Sequence, residues 1–392
     1  MISVEDALGR VLALAPAPRG EEVALAGAAG RALLAPAIAR LTQPPFDSAA
    51  MDGYALRSAD LGGPLRIIGE AAAGHPWTGT PVPGTAIRIF TGAPVPAGYD
   101  RVVMQEHVRR EDDALTVLEA GAGSHVRVRG SDFAAGDELA PGRRLGPADI
   151  GLLAAMNVPA VTVARRPVVA VLAGGDELVR PGETPAPGQI VSSNDLAIAA
   201  QVEAAGGVPR ILPIARDTEA SLRAGFAAAA GADLVVTIGG ASVGDHDLVA
   251  RVAEGLGLAR SFYKIAMRPG KPLMAGSLAG TPLLGLPGNP VSAMVCGILF
   301  MQPLIRVMQG LPTGLAPRRA RLAARLPAEG PRQHYLRATL EQGPDLPLLR
   351  TFPDQDSARL SLMAEADALL VRPAGDPPRQ EGDVIDFLPL DR

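Results

Sequence analysis

The hydrophobic and polar positions change rhythm three times along the chain. At the start, apolar residues recur at helical spacing in "VEDALGRVLALA", with Ser3 placed to cap that helix. The first forty residues read as short helices around a strand. From Gln43 the stretch "QPPFDSAAMDGYALR" is polar and turn-rich. Short apolar runs broken by Gly and Pro then continue to about Leu145, among them "PLRIIGEAAAG", "TAIRIFTGAPVPAG" and "DRVVMQEHVRR". That punctuation predicts β-structure.

At Arg166 the rhythm becomes an alternation of strand and helix. "PVVAVLA", "VPRILPIA" and "DLVVTIGG" read as buried strands. "SSNDLAIAAQVEAAGG", capped by Ser193 or Asn194, "TEASLRAGFAAAAG" and "DHDLVARVAEGLG" read as the helices between them. This spacing predicts βαβ units, a parallel sheet and a three-layer sandwich. Two more strands, "PLMAGSL" and "PLLGLP", flank the turn "AGT" and lead into a long helix after "GNP". There Asn289 is a favoured N-cap and Pro290 a favoured first helical residue. With Gly288 before them, the backbone donors are expected to stay open to an anion. From Leu311 the chain returns to short strands, which predicts a small β domain of about eighty residues.

Composition narrows the function classes. A chain of 392 residues with 47% hydrophobic and 20% charged positions is globular and long enough for several domains. The formal charge of −4 gives no basic footprint for nucleic acid or an anionic membrane, and 3% aromatics gives few platforms for stacking bases. Cys296 is the single cysteine, which excludes an intramolecular disulfide and a Cys-x-x-Cys metal site. "MISVEDALGR" lacks an apolar signal region, and "VSAMVCGILFMQPLIRVM" contains Gln302, Pro303 and Arg306. The expectation is therefore a buried core helix and a cytoplasmic protein.

The candidate chemistry gathers at strand ends. In open α/β sheets, ligands bind beyond the carboxyl ends of the strands. Gly174, Gly175, Asp176 and Glu177 follow the first strand, "TIGGASVGDHD" ends the third, and "LGLPGNPVSA" ends the last. Glycines let a ligand reach backbone amides, and carboxylates can hold a divalent cation against phosphate. One such loop alone would be an ordinary turn; three brought together by topology point to a phosphorylated, metal-linked ligand. Lys264, Arg268 and Lys271 in "FYKIAMRPGKPLMAG" add positive charge, but neither a P-loop nor a G-x-G-x-x-G is present. In the β-rich part, Asp47, Asp52, Thr91, Glu106 and Asp132 read individually as turn residues. His246, between Asp245 and Asp247, is not by itself a zinc site.

Eight motifs in order settle more: "PPFDSAAMDGYALR", "TGAPVPAGYDRVVMQE", "RVRGSDFAAGDEL", "GGDEL", "SSND", "GGASVGDHD", "MRPGKP" and "LPGNPVSA". Together they resemble the molybdopterin molybdenumtransferases, the molybdenum insertases similar to the E domain of gephyrin. The resemblance runs from about Glu21 to Val295. It implies a multidomain α/β plus β protein. Residues 1–42 and 130–165 would form a linking subdomain, 43–129 a β-rich insertion, 166–310 a central three-layer α/β/α molybdopterin-binding domain, and 311–392 a small β-barrel-like domain. It also implies a homodimer acting on adenylylated molybdopterin and molybdate with Mg2+. Its partners would be the molybdopterin adenylyltransferase and acceptor molybdoenzymes.

Carried over by position, the resemblance gives Glu177 and Asp247 the cation or the attacking group. Gly239, Gly240, Ser242 and Gly244 would line the pterin or phosphate pocket. Lys264, Arg268 and Lys271 would hold anions, and Pro287, Gly288, Asn289 and Pro290 would shape the loop at the helix start. Asp52, Thr91 and Asp132 would reach in from the partner chain, and Asp217 is equally a ligand contact or a helix cap.

The chain departs from the family in three places. Arg268 stands where Lys is usual, "PRQHYLR" replaces a Gly-Arg-x-x-Phe-like stretch, and Asp354 and Asp356 replace glycines around Ser357. Acids there are expected to repel an anion. That leaves a non-catalytic carrier of molybdopterin as the alternative. The adenylyltransferase acting one step earlier fits less well, because it lacks the β-rich insertion and the C-terminal β domain.

Overall fold

A computed structural model of the chain describes residues 1–239 and 248–390. The first helix, Val4–Leu12, is capped as expected, with the Ser3 hydroxyl accepting from the Asp6 amide at 3.0 Å. Its Ala7 and Val11 are fully buried in the same core as Val169 and Phe300, so the N-terminal helix packs onto the α/β layers.

Antiparallel pairing of Gly20–Ala24 with Ala160–Ala164, and of Ala32–Leu33 with Arg143–Arg144, brings the two halves of a linking sheet together. The chain between them makes an excursion into a six-stranded sheet. Its order is Arg101–Met104, Gly53–Leu56, Thr85–Ile89, Leu65–Ala71, Ala114–Val117, Val108–Glu111.

The central sheet runs in the order Val208–Ile211, Val168–Ala173, Leu234–Ile238, Thr281–Leu286, Pro272–Leu278, Leu258–Lys264. Successive side chains of a strand point to opposite faces. Val169 and Val171 accordingly meet Ile198 and Val202 of the helix Asn194–Ala204, whereas Ala170 and Leu172 meet Leu222 and Phe226 of the helix Glu219–Ala228. Helices therefore cover both faces, as the strand–helix alternation requires.

The expectation of a parallel sheet holds for the first four strands only. Pro272–Leu278 and Thr281–Leu286 are antiparallel, because Ala279 (φ 50°) and Gly280 (φ 86°) form a two-residue hairpin with both residues left-handed. "LARSFYK", to which the sequence pattern assigned no element, is a further antiparallel edge strand.

The helix after "GNP" is α over Pro290–Cys296, π over Gly297–Met301 and α again over Gln302–Val307. Among the described residues it is the one helix long and apolar enough to span a membrane, and 67% of it is buried inside the fold. Cys296 is buried there, 3.8 Å from the Gly270 carbonyl, and burial pushes its thiol pKa up.

The C-terminal part closes into a five-stranded barrel. Gln333–Glu341 pairs with Leu348–Thr351, the ladder continues through Arg318–Leu322, Val384–Pro389 and Ala368–Arg372, and the last strand pairs back on the first. Ala338, Leu349, Leu370 and Phe387 fill it. Met267–Arg268 extends this barrel sheet, with Met267 opposite Gln333 and Arg268 opposite His334. The anion-loop candidate is thereby bound directly to the barrel.

Candidate functional site

Three strand ends meet at one edge of the central sheet. Gly239 sits at φ +85°, and a Cβ there would lie 2.8 Å from the Gly174 carbonyl oxygen. A Cβ on Gly288 would lie 3.6 Å from the Gly239 α-carbon. Glycine is required at 239, where the left-handed backbone and the Gly174 carbonyl exclude a Cβ, whereas the approach at Gly288 is ordinary contact distance. The three loops enclose a cavity of about 490 Å3.

The first loop supplies Gly174, Gly175 and Glu177, the third Gly239, and the last Gly288, Asn289 and Pro290. Ser192, Ser193, Asn194 and Asp217 complete the polar lining, with Ala358 arriving from the C-terminal part. Pro287 is buried behind the last loop.

Hydrogen bonds hold the rim. Arg216 Nη1 donates to the carbonyls of Gly175, Asp176 and Leu178 at 3.1–3.3 Å, fixing the turn that presents Glu177. The Asp217 amide donates to Asp176 Oδ1 at 3.1 Å. The helix Glu219–Ala228 is capped by Thr218, which leaves the Asp217 side chain at the cavity. Glu177 is exposed, and a Cβ on Gly175 would sit 2.5 Å from its carboxylate.

Two capping expectations are corrected. Ser193 occupies the N-cap position without a side-chain capping bond, and Asn194 Nδ2 donates across the cavity to the Gly288 carbonyl at 2.6 Å. Asn289 stands at the N-cap position with Pro290 following, as expected, but makes no side-chain capping bond: its Nδ2 donates to the Ser357 hydroxyl at 2.9 Å. The Val291 amide, expected to be open to an anion, donates to the Ser357 carbonyl at 3.1 Å. A turn from the C-terminal part thus occupies donors that the sequence left free.

That turn also disposes of its own acids. Asp354 Oδ1 accepts from the Asp356 amide and Asp356 Oδ1 from the Ala358 amide, each at 2.8 Å, and Arg359 lies 3.3 Å from Asp354 Oδ2. Carboxylates bound to amides and a guanidinium repel an anion less than bare ones, so the expected repulsion is blunted.

The remaining candidates lie elsewhere. The antiparallel registers place Lys264 opposite Pro272 and Met274 opposite Gly285, so Lys264 and Lys271 stand at the same sheet edge as the cavity. Neither these lysines nor Arg268 line it, and among the described residues none of the three has a carboxylate partner within 4 Å. Asp52, Thr91 and Asp132 do not line it either. Asp52 Oδ1 accepts from the Thr91 amide and hydroxyl, and these bonds hold its carboxyl below the usual range. Asp132 is exposed. Gly240, Ser242, Gly244 and Asp247 lie outside the described residues.

Sequence reasoning missed Asn194, Arg216 and the contact made by Ser357. Only the "SSND" motif pointed to one of them. A larger cavity of about 620 Å3 opens between the helix Asn194–Ala204 and the barrel. It is lined chiefly by Ala, Met and Leu and contains none of the expected site residues.

Comparison with known proteins matches three family models along the chain. They are the MoeA N-terminal region (domain I and II) over residues 2–157, the "Probable molybdopterin binding domain" over 170–307, and the MoeA C-terminal region (domain IV) over 319–390. The molybdopterin molybdenumtransferase of Nostoc sp. is 37% identical over 396 residues, spanning 96% of this chain and 91% of its own. That of Haemophilus influenzae is 38% identical over 317 residues, spanning 79% and 78%. A crystal structure of the molybdopterin biosynthesis MoeA protein of Pyrococcus horikoshii superimposes with a TM-score of 0.86 at 26% identity, covering all of both chains. The chain belongs to the molybdopterin molybdenumtransferase family, a family of molybdenum cofactor biosynthesis.

Proposed function

We propose that this chain inserts molybdenum from molybdate into adenylylated molybdopterin and releases AMP, producing molybdenum cofactor, as a cytoplasmic homodimer. The observation that carries this reading is the cavity at the carboxyl edge of the central sheet. It is lined by glycine backbone, serine and asparagine side chains and two carboxylates, in a chain of this family. Gly174, Gly175, Gly239 and Gly288 let a diphosphate approach the backbone. Lys264, Arg268 and Lys271 place positive charge at the same edge for molybdate or the pterin phosphate. The substrate's dithiolene supplies the sulfur ligands, so the buried Cys296 has no part in the chemistry.

A divalent cation is compatible with the donors. Glu177 and Asp217 both line the cavity, and oxygen ligands suit Mg2+. Among the described residues no three His, Cys, Asp or Glu side chains gather to hold an ion. A Mg2+ here would therefore take much of its shell from phosphate oxygens and water, as is usual beside phosphates. When bound it would offset charge developing on the phosphoanhydride. Glu177 and Asp247 would orient the cation and the attacking oxygen. Asp52, Thr91 and Asp132 are assigned to the face that a second copy of the chain presents to the cavity.

The test is AMP release from adenylylated molybdopterin, with and without molybdate and Mg2+. Release that depends on molybdate supports the insertase. Tight binding without release would replace it by the carrier reading, and absence of both would remove the cavity from consideration.

A further inference from the structure

The barrel residue Arg337 is 1% exposed, and its guanidinium reaches the back of the turn that touches the cavity. Nη1 donates to the Arg359 carbonyl at 2.9 Å, and Nη2 to the carbonyls of Asp356 and Asp354 at 2.9 and 3.4 Å. Gln355 closes the cage: its Oε1 accepts from the Arg337 amide at 3.0 Å and its Nε2 donates back to the Arg337 carbonyl at 3.0 Å. The outer side of the same turn carries Ser357, which accepts from Asn289 through its hydroxyl and from Val291 through its carbonyl. One fixed guanidinium thus faces three carbonyls on one side of a six-residue turn, and the cavity's last loop hangs on the other. A planar fork with several donors suits this task, whereas a lysine ammonium cannot span the same carbonyls.

We infer that Arg337 is a positioning residue for the candidate site: it holds the turn at residues 354–359 so that Ser357 fixes Asn289 and the start of the following helix at the cavity wall. The two aspartates standing where the family usually has glycines belong to this device. Their carboxylates bind the turn's own amides, which hold its shape without glycine. Burial lowers the Arg337 pKa, and the charges of Asp354 and Asp356 on the turn it faces oppose that shift.

The inference rests on the proposed insertase for its kinetic readout but has a second readout that does not. Arg337→Lys, Ser357→Ala and the double variant are compared with the parent. The kinetic readout is KM and kcat for AMP release from adenylylated molybdopterin; the other is hydrogen exchange of the Val291 amide. We expect each single variant to raise KM roughly tenfold with kcat little changed, the effect of losing one or two bonds of this kind. The double variant should be no worse than the weaker single variant, because both act through one turn. Val291 should exchange faster in Arg337→Lys. A lowered melting temperature with KM and Val291 exchange both unchanged would overturn the inference, as would fully additive effects. If Arg337→Lys does not fold, Gln355→Ala opens the same cage from the turn's side and must give the same two changes. If the parent releases no AMP, the function proposed above fails, and Val291 exchange alone then decides the role of Arg337.

Discussion

Asp52 and Thr91, 39 residues apart, are joined twice: one carboxylate oxygen accepts from both the amide and the hydroxyl of Thr91 at 2.7 Å. Neither residue lines the cavity formed by Glu177 and Asn289. A charged group is thus fixed in orientation outside that cavity's lining.

Thr91→Val keeps the amide bond and removes the hydroxyl. The Asp52 carboxyl pKa should rise toward the ordinary aspartate value, measured by NMR titration. The sign follows from its lowered folded value. The stabilisation from this group is present above the unfolded pKa and is lost as pH falls through the folded one. The variant should lose less on acidification than the parent.

Gly239→Ala forces a side chain into the left-handed region and against the Gly174 carbonyl. Chemical denaturation should show a loss of about 1–2 kcal/mol from the backbone conformation alone. Ligand binding should weaken as well, because the clash separates two of the cavity's loops.

Asp247→Asn tests the role carried over from the family. The amide keeps a similar shape but loses the charge, so binding of adenylylated molybdopterin should persist while AMP release collapses. Release at the parent rate would show that the carboxylate of Asp247 has no part in turnover.

In the barrel, Asp376 binds both Arg372, 1% exposed, and Arg379, the latter at 2.5 Å. Burial raises its pKa, but the hydrogen bonds from the two guanidiniums outweigh it and leave the carboxyl below the usual range. Asp376→Ala leaves the buried Arg372 without this partner. Glu329 at 3.8 Å and two carbonyls at 3.0 Å still face Arg372, so the expected loss is at the low end for a broken buried pair, about 3 kcal/mol, read from the denaturation midpoint.

His334, in contact with Glu329 at 3.1 Å, is held below its ordinary pKa by burial. Glu329 opposes the shift, whereas Arg268 and Arg372 add to it. The folded state then binds fewer protons than the unfolded state below about pH 6.5, so stability should fall as the pH drops through that window. His334→Gln should flatten this part of the stability profile, as followed by thermal melting between about pH 5 and 7.

By itself the sequence determined the features that arise over short range. Strand and helix periods marked the three-layer domain, and the glycine pairs after "VLA" and "TI" marked the sheet edge that became the cavity. Eight ordered motifs marked the family. Tertiary structure decided what depends on partners distant in the chain. Asn194 meets Gly288 and Asn289 meets Ser357 across separations of 94 and 68 residues, so side chains that local rules assign to helix caps are drawn across the cavity. Asp354 and Asp356 read as bare negative charge until the turn supplied their amides and the barrel placed Arg337 behind them. "LARSFYK" became an edge strand because a neighbouring hairpin offered a ladder, which no period within the segment announces. Propensity and period act over a few residues, whereas a hydrogen-bonding group is satisfied by whatever the whole fold brings near it.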